Sequence, residues 1–69
     1  AAELAPTTRS AMYYALGEVH LARGEYAQGQ ALMERALAEA GEDAYARMRA
    51  LLGVGVALND QGQFEASWA

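Results

Sequence analysis

The chain has no cysteine, so neither a disulfide framework nor a thiolate metal site can supplement its core. Proline occurs once, at Pro6, and β-branched residues are few, which favours helix over sheet. Positive charge is also scarce. Five basic residues stand against nine acidic ones, and the net charge of -4 opposes the phosphate neutralisation on which nucleic-acid affinity rests. That balance argues against a nucleic-acid partner. No apolar run approaches the roughly 18 to 20 residues needed to span a bilayer, and no basic segment precedes an apolar one as in a secretory leader. The expectation is an all-α, cytoplasmic protein with no membrane partner. At 69 residues it is one domain at most, and only roughly 60% of its unfolded surface can be buried.

What is present is helical text with clear punctuation, centred on residues 13 to 41. A first helix is expected over about 8 to 23, capped by Thr7, Thr8 or Ser10, whose hydroxyls can accept the first backbone N–H groups. Its apolar stripe is Met12, Leu16, Val19 and Ala22. Gly24 should end it, because glycine enters the left-handed region without a Cβ penalty. A second helix follows from about Glu25 to Ala40, with Gly29, Leu32, Met33, Ala36, Leu37 and Ala40 on its inner face and Gly41 as its stop. Glu42 or Asp43 can cap a third, in which Asp43 and Arg47 are paired at i,i+4. Met48, Leu51, Leu52, Val54, Gly55 and Leu58 supply its packing surface. Gln61-Gly62-Gln63 should break that helix near Asn59, with a fourth beginning at Phe64. Residues 1 to 5 read as the tail of an earlier helix, stopped at Pro6.

Shifting the chain against itself by 38 residues sets Leu16 over Val54, Gly17 over Gly55, Gly24 over Gly62, Tyr26 over Phe64 and Gly29 over Ser67. Self-similarity at such a period marks repeats that bury their apolar faces on one another. The pattern resembles the tetratricopeptide repeat family. Tyr13, Leu16-Gly17 and His20 match its first-helix pattern, with His20 standing where the family usually has Tyr. Gly29 and Met33 match the small and bulky residues of its second helix, followed by Ala36 and by Gly41 where the family often has Pro. The period exceeds the roughly 34 residues of the common form, and such longer repeats are similar to those of bacterial multidomain regulators. The resemblance implies antiparallel helix-turn-helix units in a superhelix fragment, with residues 1 to 6 ending one unit, 8 to 41 forming a complete one, and 43 to 69 a second truncated in its second helix.

Few residues point to chemistry. His20 is the only histidine, and catalysis would need a carboxylate or nucleophile beside it. Glu18 cannot serve, because i and i+2 do not share a helix face. It reads as a structural histidine. The acidic residues are scattered without metal-ligand spacing, and Gly53-Val54-Gly55 lies inside a helical pattern rather than between a strand and a Lys-Ser or Lys-Thr. No catalytic residue, cofactor or metal site is expected.

Of the adjacent tyrosines, only one of Tyr13 and Tyr14 can face the partner helix. The resemblance implies that the inner concave wall comes from first helices, and Tyr14, Glu18, Leu21, Arg49, Leu52, Val56 and Asn59 would then line it. The clamp of Lys, Arg and Asn with which some family members hold acidic peptide tails is largely missing, since Arg49 is its single cation. The function expected is a non-catalytic scaffold binding a protein or peptide; the alternative is a sensory, ligand-binding module of a bacterial transcriptional regulator. Self-association through the incomplete repeat ends, by exchange of helices between copies, is expected as well.

Overall fold

Pro6 opens the first helix. Its missing N–H falls where a helix has no acceptor for it, and its fixed φ suits the first turn. In a computed structural model, which describes residues 5 to 67, the chain forms three helices, α1 (Pro6–Ala22), α2 (Tyr26–Ala40) and α3 (Ala44–Ser67). No strand occurs among the described residues. The protein is all-α, with α2 packed against both α1 and α3 and a smaller contact between α1 and α3. No helix among the described residues is long and apolar enough to cross a membrane. The tail expected at residues 1 to 5 lies, except for Ala5, outside the described residues, as do Trp68 and Ala69.

The corners form as their local chemistry dictates. Gly24 has φ +77° and Gly41 has φ +59°, conformations in which a Cβ would be strained. After Gly24 the Glu25 N–H returns to the His20 carbonyl at 2.9 Å. Asp43 Oδ1 accepts the Ala46 N–H at 2.8 Å and caps α3. The expected Asp43 to Arg47 pairing is replaced by a bond from the Arg47 guanidinium to the Gly41 carbonyl at 3.1 Å. That cation therefore satisfies a terminal carbonyl of α2. The N-terminus of α1 also differs from expectation. Its N-cap is Ala5, which makes no side-chain capping bond. Ser10 is instead fully buried and donates its hydroxyl to the Ala36 carbonyl of α2 at 2.7 Å.

The core is built from small residues around one large one. Met33 of α2 is buried together with Ala36, Ala40, Ala46, Ala50 and Ala57. A Cβ on Gly17 would lie 3.0 Å from the Met33 Cε, and one on Gly53 would lie 2.5 Å from its Sδ. Both neighbouring helices thus give up a side chain where the methionine sits, and its unbranched thioether fills the gap they leave. Gly29 makes the corresponding space for Leu21, whose Cδ2 would be 2.6 Å from an added Cβ.

Two expected packing faces are turned outward. In α1 the buried residues are Ser10 and Gly17, while Met12, Leu16 and Val19 are about half exposed. In α3 the inner face is Ala46, Ala50, Gly53 and Ala57, and the larger Met48, Leu51, Leu52 and Leu58 lie outside. Gly55, expected on the packing surface, meets nothing within 4 Å, and the close contact falls at Gly53 instead. The small face of α3 admits the Met33 and Tyr14 side chains at Gly53, while the approach at backbone level is between α1 and α2, where a Cβ on Gly17 would lie 3.3 Å from the Gly29 carbonyl.

The expected break at Gln61-Gly62-Gln63 does not occur. Helix α3 runs through it to Ser67. A glycine inside a helix costs only about 1 kcal/mol relative to alanine, and glutamine is a good helix former. Gln61 also donates to the Glu65 carboxylate one turn on, at 3.2 Å. Phe64, expected to open a fourth helix, lies on α3 with its ring 5.4 Å from that of Tyr26. The last turns of α3 therefore pack beside the start of α2.

Candidate functional site

The two adjacent tyrosines of α1 diverge to different helices. Tyr13 turns to α2, where the Arg35 guanidinium lies 4.9 Å from its ring centre and donates to its hydroxyl at 3.1 Å. Tyr14 turns to α3. Its Cε2 would be 3.1 Å from a Cβ on Gly53, so the glycine that admits Met33 also lets this ring lie across α3. One turn earlier on α3, the Arg49 guanidinium is 5.3 Å from the Tyr14 ring centre and 5.6 Å from that of Tyr45. Tyr45 reaches the same guanidinium because it stands at i-4 on the same helix face. The pair Tyr45 and Arg49 was legible from that spacing, yet sequence reasoning passed over Tyr45.

Arg49 is bonded unlike the other cations. Among the described residues all five basic side chains are arginines. Arg9 pairs with Glu39 at 3.0 Å, Arg23 with Glu25 at 3.3 Å, and Arg35 and Arg47 have the acceptors already given. Arg49 has two aromatic faces, and its Nε is buried and unpaired. Ring quadrupoles stabilise its charge by about 0.5–2 kcal/mol depending on solvent access, but they satisfy none of its N–H groups. An unpaired buried donor costs about 1–3 kcal/mol.

The remaining residues of the anticipated wall fall in two groups. Leu52, Val56 and Asn59 follow Arg49 at helical spacing and are exposed, with Leu52 at 63%. Glu18 is exposed one turn beyond Tyr14. Leu21 packs over Gly29 inside the α1–α2 contact. The structure thus joins Tyr14 to Arg49 directly and continues from Arg49 along α3, while Leu21 serves the hairpin. On the adjoining side of α3 an open depression of about 520 Å³ is lined by Glu42, Ala44, Arg47, Met48, Leu51 and Leu52.

His20 has a carboxylate partner that the sequence did not disclose. Its Nδ1 lies 3.0 Å from Glu25 Oε1, and the same oxygen accepts from Arg23. Glu25 is brought there by the turn at Gly24, a geometry that helix-face counting from Glu18 could not reach. The three side chains fasten the corner between α1 and α2. Among the described residues no group of three or more His, Cys, Asp or Glu side chains could hold a metal ion. No family model, curated protein or solved structure matches the chain.

Proposed function

We propose that this chain is a non-catalytic, tetratricopeptide-like scaffold that binds a protein or peptide segment along α3 and the facing part of α1. The observation that carries the reading is the distribution of large apolar side chains. Met12, Leu16, Val19, Tyr45, Met48, Leu51, Leu52, Val56, Leu58 and Phe64 are all about half exposed or more, whereas among the described residues Met33 is the only large apolar one fully buried. Extended apolar faces rimmed by polar groups are characteristic of interaction surfaces. The positions that carry the family likeness give further support, since Gly17, Gly29, Met33 and Ala36 all lie in the α1–α2 contact. Selection from a displayed library of random peptides tests the reading. The wild type should enrich a related set of sequences, and Tyr14→Ala and Asn59→Ala should each weaken their binding; no enrichment would sink it.

We also propose that a second copy can occupy the outer face of α3 at Met48 and Leu51. The rim of that face carries Glu42 and Arg47, so a two-fold arrangement would set the anion of one copy against the cation of the other. Sedimentation should then show a dimer whose population rises with concentration. Leu51→Glu, at an exposed position, should leave helicity unchanged and give a monomer across the same range; an unchanged dimer would place the contact elsewhere.

A further inference from the structure

Gly55 and Gly62 are exposed inside α3, and a Cβ on either would meet nothing within 4 Å. Glycine in a helix interior is unfavourable unless a close contact needs it, and among the described residues nothing approaches these two. Met48, Leu51 and Leu58, each about half exposed, share their face, so that Met48, Leu51, Gly55, Leu58 and Gly62 succeed one another at steps of four and three. We infer that two copies of the chain meet on this face with their α3 helices antiparallel and Gly55 at the two-fold axis. This rests on the second-copy reading above and gives it a direction and a register.

The order of sizes carries the inference. About an axis at Gly55, each position meets the one equally far on its other side in the second copy. Met48 stands seven residues before Gly55 and Gly62 seven after it, so each methionine is seated over the other copy's glycine. Leu51, four before, meets Leu58, three after, and the two copies of Gly55 let the helix axes approach. The chain already seats a methionine in this way, with Met33 between Gly17 and Gly53. Charge agrees with size. Arg47 and Glu65 are both exposed and 18 residues apart, about five turns, which puts them on one side of α3 at opposite ends. An antiparallel pair turns that side of one helix toward the same side of the other, so each Arg47 meets the other copy's Glu65. Glu65 thus takes the place of Glu42 as the anion set against Arg47. A parallel pair would stack Met48 on Met48, leave glycine opposite glycine twice, and hold Arg47 far from Glu65. The peptide wall is a separate face, since Arg49, Leu52, Val56 and Asn59 each stand one residue on from a contact residue and so about 100° round the helix.

The chain holds no cysteine, so single introduced thiols report the register. Ala44 and Ala66 stand eleven residues before and after Gly55. When Ala44→Cys is mixed with a tagged Ala66→Cys under mild oxidation, a disulfide-linked heterodimer should form, while neither variant should crosslink with itself, its two thiols lying about 33 Å apart along the pair. Gly55→Glu sets two carboxylates together on the axis and should weaken the sedimenting dimer at least about 10-fold. Its melt at monomer concentrations should not fall, because glutamate is the better helix former. Crosslinking of Ala44→Cys with itself, a dimer without the mixed crosslink, or a dimer unaffected by Gly55→Glu would overturn the antiparallel contact while leaving a second copy in place. A wild type that sediments as a monomer at every concentration would overturn the second-copy reading and this contact with it.

Discussion

Met33→Ala will destabilise the fold by about 2–5 kcal/mol, the range for truncating a large buried apolar side chain to alanine. Folded domains have about 0.05–0.15 kcal/mol of stability per residue, so in a chain of 69 residues this change removes much of the total. The thermal midpoint should fall by about 10 °C or more, since each kcal/mol moves a domain of this size by about 4–8 °C. The effect is large because the cavity cannot close. Met33 is flanked by Gly17 on α1 and Gly53 on α3, neither of which has a side chain to move into the space, and the other fully buried apolar residues are alanines. Met33→Leu, which keeps the volume, should cost less than about 1.5 kcal/mol. Equal losses for the two variants in thermal melts followed by circular dichroism would mean that the side chain is not enclosed.

Gly62 provides the second large effect, and here the direction matters as much as the size. In a continuous α3, Gly62→Pro removes a helical N–H and sets the ring against the carbonyl four residues back, at about 3 kcal/mol. Gly62→Ala should stabilise the same helix by about 0.5–1 kcal/mol, because a Cβ there meets nothing within 4 Å and the unfolded chain loses freedom. If Gly62 instead ended a helix in the left-handed region, as its counterpart Gly24 does, alanine would destabilise it. The sign of the Gly62→Ala effect therefore decides between one long helix and a helical hairpin. The signal should also appear at Phe64, whose contact with Tyr26 depends on α3 keeping its course.

Comparison of Gly24 with Gly62 shows what could be read in the sequence. Both follow an apolar helical pattern, and Gly24 ends α1 as expected, with φ +77°. Gly24 is followed by Glu25 and Tyr26, whose helix has α1 to pack against. Gly62 is followed by Gln63 and Phe64, and the latter finds Tyr26 without any turn. Local chemistry proposes a stop, but available packing decides whether it is used. The cap at Asp43 and the glycine at Gly41 were legible because both depend on only a few neighbouring residues. Gly29, Met33 and Ala36 were legible because they fall at helical spacing along one face of α2.

The exposed faces were not legible for a different reason. The spacing of Met12, Leu16 and Val19 identifies an apolar face, yet periodicity does not say whether its cover lies in the same chain. Here the interior takes Ser10 and Gly17 from α1 and leaves that stripe outside. Similarly, helical spacing placed Gly55 on the packing surface of α3, while helix contact selected Gly53 two residues away. Of the anticipated wall, Tyr14 and Arg49 are joined as a pair, but the second ring at Tyr45 and the buried, unpaired Nε of Arg49 are three-dimensional facts.

The central claim is that recognition belongs to the surface shared by α1 and α3, with the core serving only to hold it. Mapping backbone amide shifts on addition of a library-selected peptide tests that claim most directly. Changes are expected at Tyr14 and Glu18 on α1 and at Tyr45, Arg49, Leu52, Val56 and Asn59 on α3, with the outer face of α2 around Glu34 and Ala38 unmoved. Shifts confined to that α2 face, with the residues around Arg49 unchanged, would contradict it.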